Sequence, residues 1–138
     1  MHTLKSGELA KRANVNPETL RYYEREGLLS QPQRTEAGYR LYSEMDVKQV
    51  RFIKRAQELG FSLKEIKELL ALRLDASQSA GEVKRIAEQK IGEIEDKIQS
   101  LQAMKAVLNH LTHACSGEGS VDHCPILNCL DEHPTERR

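Results

Sequence analysis

Apolar side chains recur at nearly every third or fourth position through residues 83–113. This spacing is typical of a helix that carries a single apolar stripe, as in a coiled coil. About thirty residues rising roughly 1.5 Å each form a helix on the order of 45 Å long, which is unable to bury its own stripe. The pattern therefore predicts that the helix pairs with a second copy of the chain; a helix folded back on the N-terminal part is the alternative. The stripe comprises Val83, Ala87, Ile91, Ile94, Ile98, Leu101, Met104, Leu108 and Leu111.

Residues 6–27 show the pattern of two short helices separated by a tight turn. Ser6 is the candidate N-cap of the first helix. Asn16 is a natural N-cap for the second helix, and Pro17 fits the first helical position, where its missing N–H costs nothing. The second helix is expected to end near Gly27. Two helices joined in this way form a helix-turn-helix motif.

The segment that follows changes character before helical patterns return. Pro32 and Gly38 interrupt it, and the alternation in "YRLY" predicts a short hairpin, or wing. Ser43 is expected to cap a helix that extends to about Leu59. Ser62 then begins a further helix as its N-cap.

The charge of the chain is uneven, although its formal net charge is zero. Residues 1–60 carry 11 Lys or Arg against 8 Asp or Glu, whereas residues 81–138 carry 7 against 10. The tyrosines and several arginines are concentrated in the second helix and the hairpin. Arg contacts phosphate or guanine and Tyr contacts phosphate and sugar, so this part is expected to bind DNA. One of Tyr22 and Tyr23 is expected to lie in the core instead.

Two classes of protein are disfavoured by the sequence. The N-terminal residues lack an apolar targeting segment, and no run approaches the roughly 18 apolar residues of a membrane helix, so we expect a cytoplasmic protein without a membrane partner. We find no nucleophile–base pair, phosphate loop or pair of acids that would indicate an enzyme.

The three cysteines follow the long helix, and in the cytosol such a cluster favours metal or redox chemistry over disulfides.

The blocks "TLRYYEREGLL" and "GYRLY", with the helical segments that follow them, resemble the MerR family of bacterial transcription regulators. The resemblance covers nearly the whole chain. It implies a mostly α-helical fold, in which a winged helix-turn-helix DNA-binding domain (1–75) precedes a dimerisation helix (81–113) that forms an antiparallel coiled coil. A metal-binding loop and short helix (114–130) follow, and the charged tail (131–138) is expected to be disordered.

The resemblance also implies how such a protein acts on double-stranded promoter DNA. A homodimer binds a palindromic operator and distorts it when metal binds, so that RNA polymerase meets correctly aligned promoter elements and transcription is activated. The family's DNA-contacting positions correspond to Thr19, Arg21 and Tyr23 in the recognition helix and to Arg34, Tyr39 and Arg40 in the wing.

The stretch "ACSGEGSVDHCPIL" resembles the ligand loop of the metal-sensing members, which implies that Cys115 and Cys124 are the metal ligands. Independently of the family, the eight residues between the two cysteines include two glycines, so this segment can bring two thiolates to one cation. Thiolates favour soft ions such as Cu(I), Zn, Cd, Hg or Pb. His123 and His113 are further candidate donors, and Cys129 is as compatible with packing as with ligation.

Ala80 bears on which metal is bound. Members of the family that sense divalent soft metals have a third Cys at this position, and members that sense monovalent coinage metals have a Ser. The alanine therefore favours Cu(I)- or Ag(I)-type ions over Zn, Cd, Hg or Pb. Two other functions stay open: a cytosolic metal-buffering or thiol-redox protein, and a regulator of the same fold that senses an organic ligand or an oxidant.

Overall fold

The computed structural model describes residues 3–77 and 80–132. The chain forms two compact units, which divide between Lys90 and Ile91. The first unit contains the helix-turn-helix, a small sheet and the beginning of the long helix. The second contains the remainder of that helix and the cysteine-containing segment.

The helix-turn-helix consists of α1 (Ser6–Ala13) and α2 (Pro17–Arg25). Asn14 ends α1 in the left-handed conformation, with φ of 59°. The Oδ1 of Asn16 accepts a 2.9 Å hydrogen bond from the Thr19 N–H, which satisfies one of the unpaired donors at the start of α2. The predicted cap at Asn16 and the predicted first helical residue, Pro17, are both confirmed.

The wing belongs to a three-stranded antiparallel sheet with strand order β1-β3-β2. Its strands are β1 (Leu4–Lys5), β2 (Gln33–Arg34) and β3 (Arg40–Tyr42). The hairpin of β2 and β3 was expected from the alternating pattern, whereas β1 is too short to leave a recognisable alternation.

The predicted N-cap at Ser6 is wrong, because Ser6 is the first residue of α1. Lys5 pairs with Leu41 in the sheet, so the chain passes directly from strand to helix at that residue. The Lys5 N–H donates a 2.9 Å hydrogen bond to the Oε1 of Glu8, one turn into the helix.

The first unit also contains two further helices, α3 (Glu44–Glu58) and α4 (Leu63–Leu74). Both predicted caps are confirmed, since Ser43 and Ser62 accept hydrogen bonds from backbone N–H groups inside their helices. The helices close over an apolar core, whose most deeply buried side chains are Leu9, Leu20, Leu28, Ile53, Ile66, Val47 and Val50.

The predicted long helix is confirmed as α5 (Ala80–Ala114), 35 residues without interruption. A short 3₁₀ helix (Val121–His123) and α6 (Pro125–Glu132) follow. Helix α6 thus includes the first two residues of the predicted disordered tail, and residues 133–138 lie outside the described part. No helix among the described residues is long and apolar enough to cross a membrane.

Candidate metal centre and nucleic-acid interface

Two of the predicted recognition residues, Thr19 and Arg21, lie in the N-terminal half of α2 and are at least partly exposed. Thr19 is half-buried, and its hydroxyl donates a 3.0 Å hydrogen bond to Asn16 Oδ1. The Arg21 guanidinium forms a 3.0 Å ion pair with Glu18, one turn earlier. Both partners of this pair are exposed, and exposed pairs of this kind are weak. Arg21 is therefore able to exchange Glu18 for a phosphate.

The two adjacent tyrosines of α2 have different environments. Tyr23 is only 2% exposed, and its hydroxyl donates a 2.8 Å hydrogen bond to Gln57 Oε1. Burial raises the pKa of Tyr23. Tyr22 is 37% exposed, and the Arg25 guanidinium lies 5.9 Å from the centre of its ring. Tyr23 is thus the core member of the pair, and the DNA contact predicted for it stays a prediction.

The turn of the wing is organised around Gly38, which has φ of 92°, a conformation that favours glycine. Arg34 Nη1 donates a 2.8 Å hydrogen bond to the Gly38 carbonyl. The Thr35 N–H donates to the Tyr39 carbonyl at 2.8 Å. Tyr39 is 61% exposed, with the Lys5 ammonium 5.2 Å from its ring centre. The wing therefore presents Tyr39 to solvent, close to the positive charge of Lys5.

Arg40 differs from the other predicted contacts because it faces a buried acid. Its Nε lies 3.4 Å from Glu24 Oε1, and the other carboxylate oxygen accepts a 2.6 Å hydrogen bond from the Tyr42 hydroxyl. Burial and this hydrogen bond raise the pKa of Tyr42 to about 12. Sequence reasoning did not identify Glu24, although its spacing from Leu20 placed it on the buried face of α2.

The cysteine loop connects the end of α5 to the beginning of α6. The Cys115 N–H donates a 3.3 Å hydrogen bond to the Thr112 carbonyl, so this thiol follows directly from the last helical turn. Gly117 and Gly119 both have positive φ, which allows the loop to turn back. Cys124 then precedes Pro125, the first residue of α6. The loop encloses a pocket of about 290 Å³ whose lining includes both thiols.

The local environment favours the thiolate form of Cys124. Its pKa is lowered, chiefly by the backbone N–H of Leu127 and further by that of Ile126, whereas burial opposes the shift. The neighbouring Cys115 thiol lowers this pKa further. A thiol at a helix N-terminus is commonly acidic for this reason, and the thiolate is the form that binds metal.

The other candidate donors are arranged less favourably. His123 lines the pocket, whereas Cys129 lies on α6 outside its lining. The ring Nδ1 of His113 is 2.8 Å from the Asn109 carbonyl, within its own helix. Within residues 3–77 and 80–132, no group of three or more His, Cys, Asp or Glu side chains is arranged to hold a metal ion. Both cysteines that line the pocket are soft donors, which suit a soft ion.

Ala80 is the first residue of α5, and its methyl group supplies no donor atom. A third thiol at this position is therefore absent from the chain, as the sequence already shows.

Comparison with known proteins agrees with this architecture. The family described as "MerR HTH family regulatory protein" matches residues 4–72, and "MerR, DNA binding" matches residues 47–111. The chain is 46% identical over 121 residues to heavy metal-dependent transcription regulator 2 of Rhizobium meliloti (strain 1021), covering 88% of this chain and 82% of that protein. It is 43% identical over 128 residues to the HTH-type transcriptional regulator ZntR of Escherichia coli (strain K12), covering 91% of each.

A solved structure extends the similarity to nearly the full length. The transcription regulator PbrR691 from Ralstonia metallidurans CH34, crystallised in complex with lead(II), matches with a TM-score of 0.81 and 35% sequence identity. The match covers 92% of this chain and 98% of that chain. The helix-turn-helix, the wing and the long helix thus occur in the same order in both proteins. From these matches, this chain belongs to the MerR family of helix-turn-helix regulatory proteins.

Proposed function

We propose that this protein is a metal-responsive transcription regulator that binds promoter DNA as a homodimer and holds its metal with Cys115 and Cys124. The observation that carries the proposal is the position of both cysteines in the lining of one pocket, where the Cys115 thiol lowers the pKa of Cys124. Support also comes from relatives: one is described as heavy metal-dependent, and another was crystallised with lead(II). Acting on promoter DNA, such a protein works in the cytoplasm.

The loop residues fit a soft monovalent ion. Two thiolates satisfy the linear coordination of Cu(I) or Ag(I), whereas structural Zn sites commonly use four ligands. We therefore infer a preference for Cu(I)- or Ag(I)-type ions. Cys115 and Cys124 would hold such an ion, and their shared ligation would connect the end of α5 to the start of α6. The N–H groups of α6 favour the thiolate form of Cys124, which is the form that binds metal.

The DNA-binding surface combines α2 with the wing. We infer phosphate or base contacts from Thr19 and Arg21 on α2 and from Arg34, Tyr39 and Arg40 in the wing. Tyr22, exposed beside Arg25, is a further contact that the sequence resemblance did not supply. The Tyr23 hydroxyl bonds to Gln57 in this structure, so a contact between Tyr23 and DNA would require its ring to move on binding.

Dimerisation would cover the apolar stripe of α5. In the single chain Ile91 is 53% exposed, Ile94 40% and Leu101 61%. A continuous apolar surface of this length is unusual on a monomer and marks an interface. A second copy of the same helix is the partner that a symmetric operator requires.

Metal would activate transcription by shifting a conformational equilibrium. Binding changes a population only by as much as the affinity differs between the two states. We infer that the metal-bound dimer favours distorted operator DNA, in which the promoter elements are aligned for RNA polymerase.

The proposal is tested by run-off transcription from the protein's promoter, with apo protein and with protein reconstituted anaerobically with Cu(I), Ag(I), Zn(II), Cd(II), Hg(II) or Pb(II). We expect operator binding in both forms, induction by Cu(I) or Ag(I) and one ion per loop by elemental analysis. Induction by divalent ions alone would correct the metal preference. Metal binding without any effect on transcription would contradict the regulatory function and favour a metal-buffering protein.

A further inference from the structure

A buried carboxylate joins α2 to the wing. The Glu24 side chain is 2% exposed, and its two oxygens face Arg40 and Tyr42 of β3. Burying a charged group is unfavourable unless it is paired and hydrogen-bonded. The carboxylate therefore prefers the arrangement in which both β3 residues stay close to α2.

Strand geometry sets both partners on the same side of the sheet. Side chains two residues apart on a strand point to the same face, so Arg40 and Tyr42 both meet α2. The Tyr42 hydroxyl occupies one oxygen of Glu24, which leaves the other oxygen to Arg40.

The Arg40 guanidinium faces Glu24 through its Nε atom. Its Nε is buried and has no hydrogen bond of good geometry, although it lies 3.4 Å from Glu24. The side chain as a whole is 22% exposed, so part of it reaches the surface. Because a guanidinium is planar and rigid, the carboxylate beside Nε also restricts the direction of the remaining N–H donors.

We propose that Glu24 is a positioning residue for DNA binding, which orients Arg40 of the wing toward a DNA phosphate. The inference rests on the proposed function, since it requires Arg40 to contact DNA. Glu24 itself acts through Arg40 and touches no DNA. The buried carboxylate thereby determines the orientation of the Arg40 guanidinium relative to α2.

The direction in which DNA affinity changes when the charge of Glu24 is removed distinguishes a positioning role from a purely electrostatic one. DNA is a polyanion, and a carboxylate beside its binding surface weakens the general attraction. If Glu24 acted by its charge alone, removing that charge would strengthen binding. A positioning role predicts the opposite, because a disordered Arg40 loses its directed contact.

The experiment uses two probes: a duplex that the wild-type protein selects from a randomised library, and a duplex of unrelated sequence. Glu24→Gln keeps the side-chain shape and an acceptor for Tyr42 but removes the charge that faces Arg40. We expect Kd for the selected duplex to rise about tenfold. Affinity for the unrelated duplex should stay the same or increase. Glu26→Gln removes the same charge two residues along the chain, and it should not weaken binding to either probe.

A double-mutant cycle tests whether the effect passes through Arg40. In an Arg40→Ala background, Glu24→Gln should cause no further loss, because no guanidinium is left to orient. An equal loss in both backgrounds, or unchanged or tighter binding by Glu24→Gln alone, would overturn the proposal.

A stability control excludes a general loosening of the wing. Tyr42→Phe removes a hydrogen bond to the same carboxylate but leaves its charge opposite Arg40, so it should lower Tm while keeping more affinity than Glu24→Gln. An equal loss of affinity in Tyr42→Phe would mean that Glu24 has a structural role only.

If the Glu24→Gln variant does not fold, the same binding experiments use Glu24→Asp. Its loss of DNA affinity should be smaller, and it should also disappear in the Arg40→Ala background. A wild-type protein that selects no duplex would contradict the proposed function, whereas missing coupling on a selected duplex contradicts this inference alone.

Discussion

Cys115, directly after α5, and Cys124, directly before α6, line the same pocket, and the Cys115 thiol lowers the pKa of Cys124. The two residues belong to different elements, and the loop between them contains two glycines with positive φ, Gly117 and Gly119. If both residues are ligands, as proposed, loss of either thiol should leave the site incomplete.

Cys115→Ser and Cys124→Ser should each abolish metal-induced transcription and leave operator binding unchanged. One thiolate is unable to link the loop, whereas the arginines and tyrosines of the DNA-binding unit are untouched. Run-off transcription with metal and gel-shift titration without metal measure the two properties separately.

Cys129→Ser is the matched control, since it removes a thiol from α6 outside the pocket lining. A small effect is expected for a two-coordinate site. If Cys129→Ser were as inactive as Cys124→Ser, the site would use three thiolates. Normal induction by Cys115→Ser would refute the assignment of the ligands.

Arg21→Ala should weaken operator binding at least about tenfold, because a charge-assisted contact to phosphate or base is removed. Arg85→Ala is a suitable control: Arg85 pairs with Glu82 three residues earlier, as Arg21 pairs with Glu18, at 3.0 Å in both cases. Gel-shift titration at fixed salt should show the loss for Arg21 only, and equal affinities of the two variants would remove Arg21 from the interface.

Replacing both Ile94 and Leu101 with Asp should convert the dimer to monomers, because the dimer interface would bury two unpaired charges per chain. The variant Gln99→Asp with Ala103→Asp adds the same charges to exposed positions away from the stripe, and it should remain dimeric. Sedimentation at micromolar concentration distinguishes the two. A wild-type monomer under these conditions would contradict the predicted dimer.

Glu65→Gln should destabilise the first unit by about 1 kcal/mol at pH 7. The pKa of Glu65 is lowered, first by the Ser62 N–H at 2.7 Å and then by Lys90 at 3.0 Å. A carboxyl group whose pKa is lower in the folded state stabilises the fold above its unfolded value of 4.5, and this contribution is lost as the pH falls.

Urea denaturation of wild type and Glu65→Gln at pH 7 and at about pH 3 should therefore show a difference that shrinks with acidification. Glu82→Gln, which breaks an exposed pair within α5, should change stability by less than about 0.5 kcal/mol at either pH. An equal destabilisation by Glu65→Gln at both pH values would show that its charge is not involved.

The sequence alone was sufficient for features that depend on neighbouring residues. Asn16 with Pro17, Ser43 and Ser62 mark helix starts through hydrogen bonds that span three residues or fewer. The period of apolar residues in α5 likewise needs only one helix to be recognised. The two cysteines that line the loop pocket were singled out in the same way, since the segment between them is short and contains two glycines; their role as ligands stays a prediction.

Tertiary structure decided the features that depend on residues far apart in the chain. The contact of Tyr23 with Gln57 joins residues 34 positions apart and determines which tyrosine of the pair is buried. The contact of Tyr42 with Glu24, 18 positions apart, makes an ordinary helix carboxylate the buried partner of a wing arginine. Strand β1 exists only because β3 is available to pair with it. Local patterns reveal which face of an element is apolar, but the identity of the partner that covers each side chain depends on how the elements pack together.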